Sequence, residues 1–289
     1  MRRSRWWAAG GVVVIGLTLL AGGGCAQKVL TVVDGCPDGG ILSGSGACVP
    51  PGLLDDLIGW WHLDDGTGSM IARDSSSRGN DGTLTSLEPA NVWVPGRSGT
   101  GLDVAANGYV NVPDSMSIDT ITEQVTIAGW GYLDAASAIM DYATIASRED
   151  GTGIDQHYHI SFDMQLFPVC FIKADGGTPR LTQMTAAPRQ TWIHIACTYD
   201  GSVAQLYVDG QPIGGLGMQA LTGRFAADTT PFILGGNGNG PAMGVSERFP
   251  GRIDEIMLYR RALSAAEIAQ LHNGALFAAG SVTDAGARE

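Results

Sequence analysis

The stretch W-I-H-I-A-C-T-Y-D-G-S-V-A-Q-L-Y-V-D-G, from Trp192 to Gly210, constrains this chain most. Two runs rich in β-branched and aromatic residues flank Asp200-Gly201, and the second run closes on Asp209-Gly210. Asp-Gly pairs accept the positive φ of tight hairpin turns, so the segment predicts antiparallel strands joined by short turns. Comparable runs lie at 58–63, 101–104, 109–112, 125–133, 144–147, 159–162, 169–173, 192–199, 204–208, 232–235 and 252–259. This density of short strands, together with 42 glycines, predicts an all-β, two-sheet antiparallel sandwich. The run at 125–133 is apolar on both faces and reads as a central strand. Only one helix is predicted, at 264–272, where Ser264 and Glu267 make an S-x-x-E capping box and Gly274 suits the position after the end.

The N-terminus is of a different kind. Arg2, Arg3 and Arg5 precede an uncharged apolar run at 6–21, shorter and more Gly-rich than a membrane span of about 20 residues. A basic start followed by a short apolar stretch predicts a secretory signal peptide over 1–24. It ends in L-A-G-G-G-C, which resembles a bacterial lipobox and implies lipidation of Cys25, although Gly22 stands where that pattern prefers Leu. Residues 25–54 carry D-G-C-P-D-G-G, G-S-G and P-P-G with no sustained period, and read as a flexible tether. The globular domain is expected over 55–274, with a disordered Ala/Gly-rich tail at 275–289. The expected location is the cell envelope, by lipid anchor only, with the outer membrane favoured because Ala26 and not Asp follows the cysteine.

Assigning Cys25 to lipid leaves an even number of cysteines in an oxidising compartment. Cys36 and Cys48 bracket a Gly/Ser-rich loop and are expected to pair. Cys170 and Cys197 lie in strand-like runs and either bridge neighbouring strands or stay buried as thiols. The chain has 17 basic and 29 acidic residues. Such a surface repels nucleic acid and anionic lipid, and no Lys/Arg cluster offsets it. Neutral glycans, cations and other proteins remain.

Three segments taken in order carry a family resemblance. They are G-W-W-H-L-D-D-G-T-G-S-M-I-A-R-D-S-S-S-R-G-N-D-G-T-L from Gly59, the hairpin from Trp192, and G-R-I-D-E-I-M-L-Y-R-R-A-L-S-A-A-E-I from Gly251. Together they resemble the laminin-G-like jelly roll of the concanavalin-A-like lectin/glucanase fold. The resemblance implies a jelly-roll sandwich with a short helix after the last strand. It says less about function, since such sandwiches host many activities.

The related glucanases place acids at alternating positions of one strand, in E-x-D-x-x-E or close to it, so that they share a face. No run here does so, and in I-D-E-I the adjacent acids are expected to point apart. The protein is therefore read as no enzyme. Strand alternation in R-I-D-E-I-M-L would put Asp254 on the face of Ile256 and Leu258, where a carboxylate needs a partner. Related jelly rolls often hold calcium between this strand and an earlier loop. One structural calcium ion is thus expected, bound by Asp74, Asn80, Thr83 and Asp254, with a metal-free Asx turn as the alternative. His157 and His159, at i and i+2, share a face. Trp60, Trp61, Trp130 and Trp192 are assigned to the core. Trp93, Tyr109, Arg148, Asp150, His157 and Tyr158 lie near loops and are the expected ligand-binding set, because sugar rings stack on exposed aromatic faces. The reading is a non-catalytic, surface-anchored binding or adhesion module for extracellular carbohydrate or glycoconjugate. The alternatives are a structural envelope lipoprotein whose partner is a surface protein, and an unrecognised glycan hydrolase.

Overall fold

The computed structural model describes residues 41–42, 48–49, 52–135, 138–149, 156–226, 229–238 and 245–274. Cys25, Cys36, Asp150, the expected signal peptide, most of the tether and the tail at 275–289 lie outside the described residues.

In chain order the strands are β1 (Ile41–Leu42), β2 (Cys48–Val49), β3 (Leu57–Trp61), β4 (Ile71–Ala72), β5 (Gly82–Thr85), β6 (Trp93–Pro95) and β7 (Thr100–Asp103). There follow β8 (Tyr109–Val112), β9 (Val125–Leu133), β10 (Tyr142–Glu149), β11 (Gln156–Asp163), β12 (Pro168–Ile172), β13 (Arg180–Thr182) and β14 (Trp192–Tyr199). The last group is β15 (Val203–Val208), β16 (Gln211–Pro212), β17 (Met218–Ala220), β18 (Phe232–Leu234), β19 (Asn237–Gly238), β20 (Val245–Ser246) and β21 (Gly251–Tyr259), before helix α1 (Ala265–His272).

Two large antiparallel sheets face each other. One has eight strands in the order β13-β12-β11-β10-β18-β8-β5-β4. The other has nine, ordered β16-β15-β14-β9-β21-β7-β6, with β17 on β15 and β3 on β21. The jelly-roll sandwich expected from the sequence is what the chain forms. Strand alternation explains the core between the sheets: Ile145, Tyr158, Ile160, Phe162 and Phe232 point inward from one, and Ile127, Ile193, Ile195, Leu206 and Ile253 from the other. Close sheet approach needs a small residue on the central strand. A Cβ on Gly131 of β9 would lie 2.8 Å from Ile145 Cδ1.

Cys170 and Cys197 form a disulfide, with Cα atoms 6.1 Å apart. They join β12 to β14, so the bond ties one sheet to the other through the core and not neighbours within a sheet. Helix α1 starts at Ser264, whose side chain accepts from Glu267 N while Glu267 accepts from Ser264 N, the reciprocal cap read from the sequence. Ile268 and Leu271 of α1 pack with Leu53, Trp60, Met257 and Tyr259 in a second apolar cluster. It covers part of the outer face of the nine-stranded sheet and leaves the rest for polar and aromatic groups.

Candidate functional site

Much of the expected ligand set turns inward. Trp93 is 9% exposed and joins the core, its indole donating to Ser69 O at 3.1 Å. Tyr158 is fully buried, packed edge-on against Phe225. His157 is buried beside the same ring. Arg148 is buried as well, and its Nη2 donates to Asp114 at 2.9 Å and Asp119 at 2.7 Å. A guanidinium in such a place is there to be neutralised by those acids. Among the described members of the expected set only Tyr109 is half exposed, and the Arg248 guanidinium lies 4.6 Å from its ring centre. The loop exposure expected of Trp93 and Tyr158 is thus corrected to burial, which leaves neither ring a face for a sugar.

The four expected calcium ligands do not make one oxygen cage. Asp74 Oδ1 accepts from Trp60 N and Ser76 N at 2.9 and 2.8 Å, and Oδ2 from Ser76 Oγ and Asn80 N at 2.7 and 2.8 Å. Asn80 donates to Ile58 O and accepts from Ser115 and Ser117 through Oδ1. Thr83 is exposed on β5. Asp254 is engaged elsewhere: its Oδ2 accepts from Arg97 N and Ser98 N at 2.7 and 3.0 Å, and Oδ1 from Glu255 N at 2.9 Å. The Asp74 and Asp254 oxygens thus accept from N–H and O–H donors in two separate turns. The described residues hold no group of three His, Cys, Asp or Glu suited to a metal ion.

The placement of Asp254 has a backbone cause. Glu255 has φ +51°, and the register of β21 on β9 shifts between Asp254 and Met257, the mark of a β-bulge. Alternation slips there. Ile253 and Ile256 both face the core, while Asp254 and Glu255 both serve the outer side. The adjacent acids of I-D-E-I do not point apart, and Asp254 does not share a face with Ile256. Glu255 accepts from Trp60 Nε1 at 2.7 Å and lies 3.1 Å from His62 Nδ1. Burial pushes the Asp254 carboxyl up to about 9, with the Glu255 charge adding to it, and burial raises Glu255 too.

The outer face of the eight-stranded sheet carries a polar network. Asn237 Nδ2 donates to Glu149 Oε1 at 2.6 Å and to Glu247 Oε2 at 2.9 Å. His159 Nδ1 lies 3.3 Å from Glu149 Oε1, and Thr144 Oγ1 donates to Glu247 Oε2 at 3.1 Å. Burial raises the Glu247 carboxyl above its usual range and the nearby Glu149 adds to it, against the pull of His159, Asn237 and Thr144. Next to this network is a cavity of about 380 Å3 whose lining includes Asn107, Ile139, Asp141, Tyr142, Glu247 and Arg248. It combines a half-buried tyrosine, a guanidinium and acids. Arg248 is fixed by the Tyr109 ring and by hydrogen bonds from Nε to Val245 O and from Nη1 to Asn107 O.

The outer face of the nine-stranded sheet differs. Trp192, Tyr132 and Arg252 are cross-strand neighbours in one row, and Arg252 lies 5.1 Å from the Tyr132 ring centre. The next row holds His194 and Trp130, with Arg97 4.5 Å from the Trp130 ring centre. Trp130 and Trp192 are therefore outward residues and not part of the core between the sheets. The alternation of W-I-H-I-A-C contains this pattern, but a tryptophan reads as core unless the inward parity is known.

A laminin-G family model, described as concanavalin A-like lectin/glucanases superfamily, matches residues 104–269, more than half of the chain. The chain belongs to that superfamily. One curated relative, adhesion G-protein coupled receptor V1 of Danio rerio, is 32% identical over 83 residues, which are 28% of this chain and 1% of the receptor. This chain thus corresponds to a very small part of that protein. Among solved structures, domain 4 of AbnA, a GH43 extracellular arabinanase from Geobacillus stearothermophilus in complex with arabinotriose, has a TM-score of 0.53 at 18% identity, covering 75% of this chain and 98% of that one. The binding domain of Paraclostridial Mosquitocidal Protein 1 gives 0.57 at 19%, over 76% and 52% of the two chains. Trypanosoma rangeli sialidase gives 0.55 at 20%, over 78% and 33%. At such identities these likenesses concern the fold.

Proposed function

We propose that the protein is a non-catalytic binding module that holds extracellular carbohydrate in the cavity beside Tyr142, Glu247 and Arg248. The observation that carries this reading is the composition of that cavity. An aromatic ring, a fixed guanidinium, carboxylates and the Asn107 carbonyl region meet there, the mixture that sugar rings and hydroxyls need. Support comes from structural neighbours in complex with sugars: domain 4 of AbnA with arabinotriose, and the binding domain of Botulinum Neurotoxin DC with SialylT. The Glu149–Glu247 pair stays outside the chemistry in this reading, because Glu149 is 4% exposed and its Oε1 is already shared by Asn237 and His159.

The module reaches its ligand from a surface. The L-A-G-G-G-C sequence supports acylation of Cys25, and the disulfide suits an exported protein. Among the described residues no helix is long and apolar enough to cross a membrane. Mass spectrometry of the N-terminal peptide would show a lipidated Cys25, and an unmodified cysteine would remove the anchor. Stacking with a few hydrogen bonds gives micromolar to millimolar dissociation constants, about −8 to −4 kcal/mol. Titration calorimetry with arabino- and sialyl-oligosaccharides tests the site: Tyr142→Ala and Arg248→Ala should each weaken binding at least about tenfold. Unchanged affinity in both would place the ligand elsewhere.

A further inference from the structure

On the other side of the molecule, two buried nitrogens stand without a partner. Trp130 and His194 are each 2% exposed, and neither Trp130 Nε1 nor His194 Nδ1 has a hydrogen bond. Buried polar nitrogens without a partner are rare and call for an explanation, and the Trp130 indole N–H can only donate. The two rings lie 5.1 Å apart, and the His272 ring, from the end of α1, is 5.3 Å from Trp130 and 5.8 Å from His194. Arg97 adds its guanidinium over Trp130. One row further, the buried Nε of Arg252 also has no partner.

The local chemistry is unusual for this chain. In a protein of net charge −12, two arginines, two histidines and an indole N–H gather on one patch. The acids close by are already engaged. Asp254 accepts from Arg97 N and Ser98 N, Glu255 from Trp60 and His62, and Asp209 accepts from His194 N at 3.0 Å. Asp103 is the cross-strand neighbour of Arg252 and accepts from Ala105 N. The patch therefore presents donors and positive charge without a dedicated acceptor for Trp130 Nε1.

We propose that Arg97, Trp130, His194 and His272 form a second site, which takes the carboxylate or sulfate of an acidic saccharide. Arg97, which is exposed, and His272, which is half-buried, make the rim through which the anionic group enters. Trp130 Nε1 and the His194 ring donate to its oxygens, Arg97 supplies charge, and the Tyr132–Trp192 pair at 5.5 Å offers aromatic surface to the next sugar. This site does not depend on the cavity beside Tyr142.

The test is calorimetry of the intact protein with three probes of equal length: a sulfated heparin-type oligosaccharide, an oligogalacturonate and a neutral gluco-oligosaccharide. At least one acidic probe should bind about tenfold or more tighter than the neutral one, with affinity falling as salt rises. The sulfated and carboxylated arms identify which acid group is preferred. Arg97→Gln and Trp130→Phe, which keeps an aromatic ring but no N–H, should each remove most of the difference, whereas Tyr142→Ala should leave the acidic probe preferred over the neutral one. Equal binding of all three probes, or a preference unmoved by Arg97→Gln in a normally folded protein, overturns the proposal. A preference lost in Tyr142→Ala would assign the acidic sugar to the cavity and also overturn it.

Discussion

The two outer faces of this sandwich are built on the same strand alternation and end up chemically opposite. Over the eight-stranded sheet, Glu149 and Glu247 converge on one asparagine amide beside His159. Over the nine-stranded sheet, Trp130, His194, Arg97 and His272 crowd together. What differs is the cover. The segment around β19 and β20 lays Asn237 and Glu247 on the first face, while α1 and the turn at 96–99 close over the second. A face of a sheet is thus given its chemistry as much by what crosses over it as by its own strands.

The largest expected effect should strike both faces alike. Replacing Cys170 and Cys197 by Ala opens a closed loop with a sequence separation of 27 and unties the sheets. Loop-closure entropy puts the loss at about 3–4 kcal/mol, read as a lower urea midpoint. A loss confined to hydrogen exchange on one sheet would show that the two sheets do not unfold as a unit.

A smaller effect should stay on one face. In Gly96→Ala the added Cβ would lie 2.5 Å from Asp254 Oδ2 and 2.6 Å from the Thr100 carbonyl carbon. About 1–3 kcal/mol of destabilisation is expected. Hydrogen exchange should quicken at Arg97 and Ser98, which donate to Asp254, and stay slow across β10.

One buried group on each face, His194 and Glu247, should answer pH in opposite directions. Burial, with His272 and Arg97 adding like charge, lowers the His194 pKa from 6.5 to about 3. Its contribution is full above pH 6.5 and is lost as pH falls from there towards 3, because the unfolded chain then binds the extra proton. Glu247 has its pKa raised by burial, so its contribution is full below about 4.5 and is lost as pH rises beyond it. His194→Gln should flatten the acid limb and Glu247→Gln the other, each by at most about 1.4 kcal/mol per pH unit. Asp254 and Glu255, raised on the nine-stranded face, add to the second limb and will keep part of it in Glu247→Gln. An acid limb unchanged in His194→Gln would contradict the burial of that ring. Smallest of all, Ser264→Ala should cost about 1 kcal/mol by removing the cap of α1, with fraying visible first at Ala265 and Ala266.

The sequence reading succeeded where structure is local. Asp200-Gly201 and Asp209-Gly210 do turn the chain around β15, and the run at 125–133 does lie in the middle of a sheet. The Ser264–Glu267 box does open α1. It failed where one residue changes phase or where distant chain covers a face. The positive φ at Glu255 reversed the side expected of Asp254. Arg148 read as a ligand-binding residue because Asp114 and Asp119, the acids that hold its buried guanidinium, lie about 30 positions away. Tyr142, Glu247 and Arg248 carried no motif at all. They come from the start of β10 and the end of the β19–β20 excursion, and only the closed sandwich brings them to one cavity.

The central claim is that this module binds carbohydrate without cleaving it. A glycan array probed with the intact protein, with calcium and with chelator, followed by chromatographic analysis of any bound sugar after prolonged incubation, tests that claim directly. Retention of at least one saccharide class, lost in Tyr142→Ala and with the sugar recovered at its original length, is the predicted result. Shortened products from the wild-type protein that disappear in Glu247→Gln, or retention of no glycan under either condition, would contradict it.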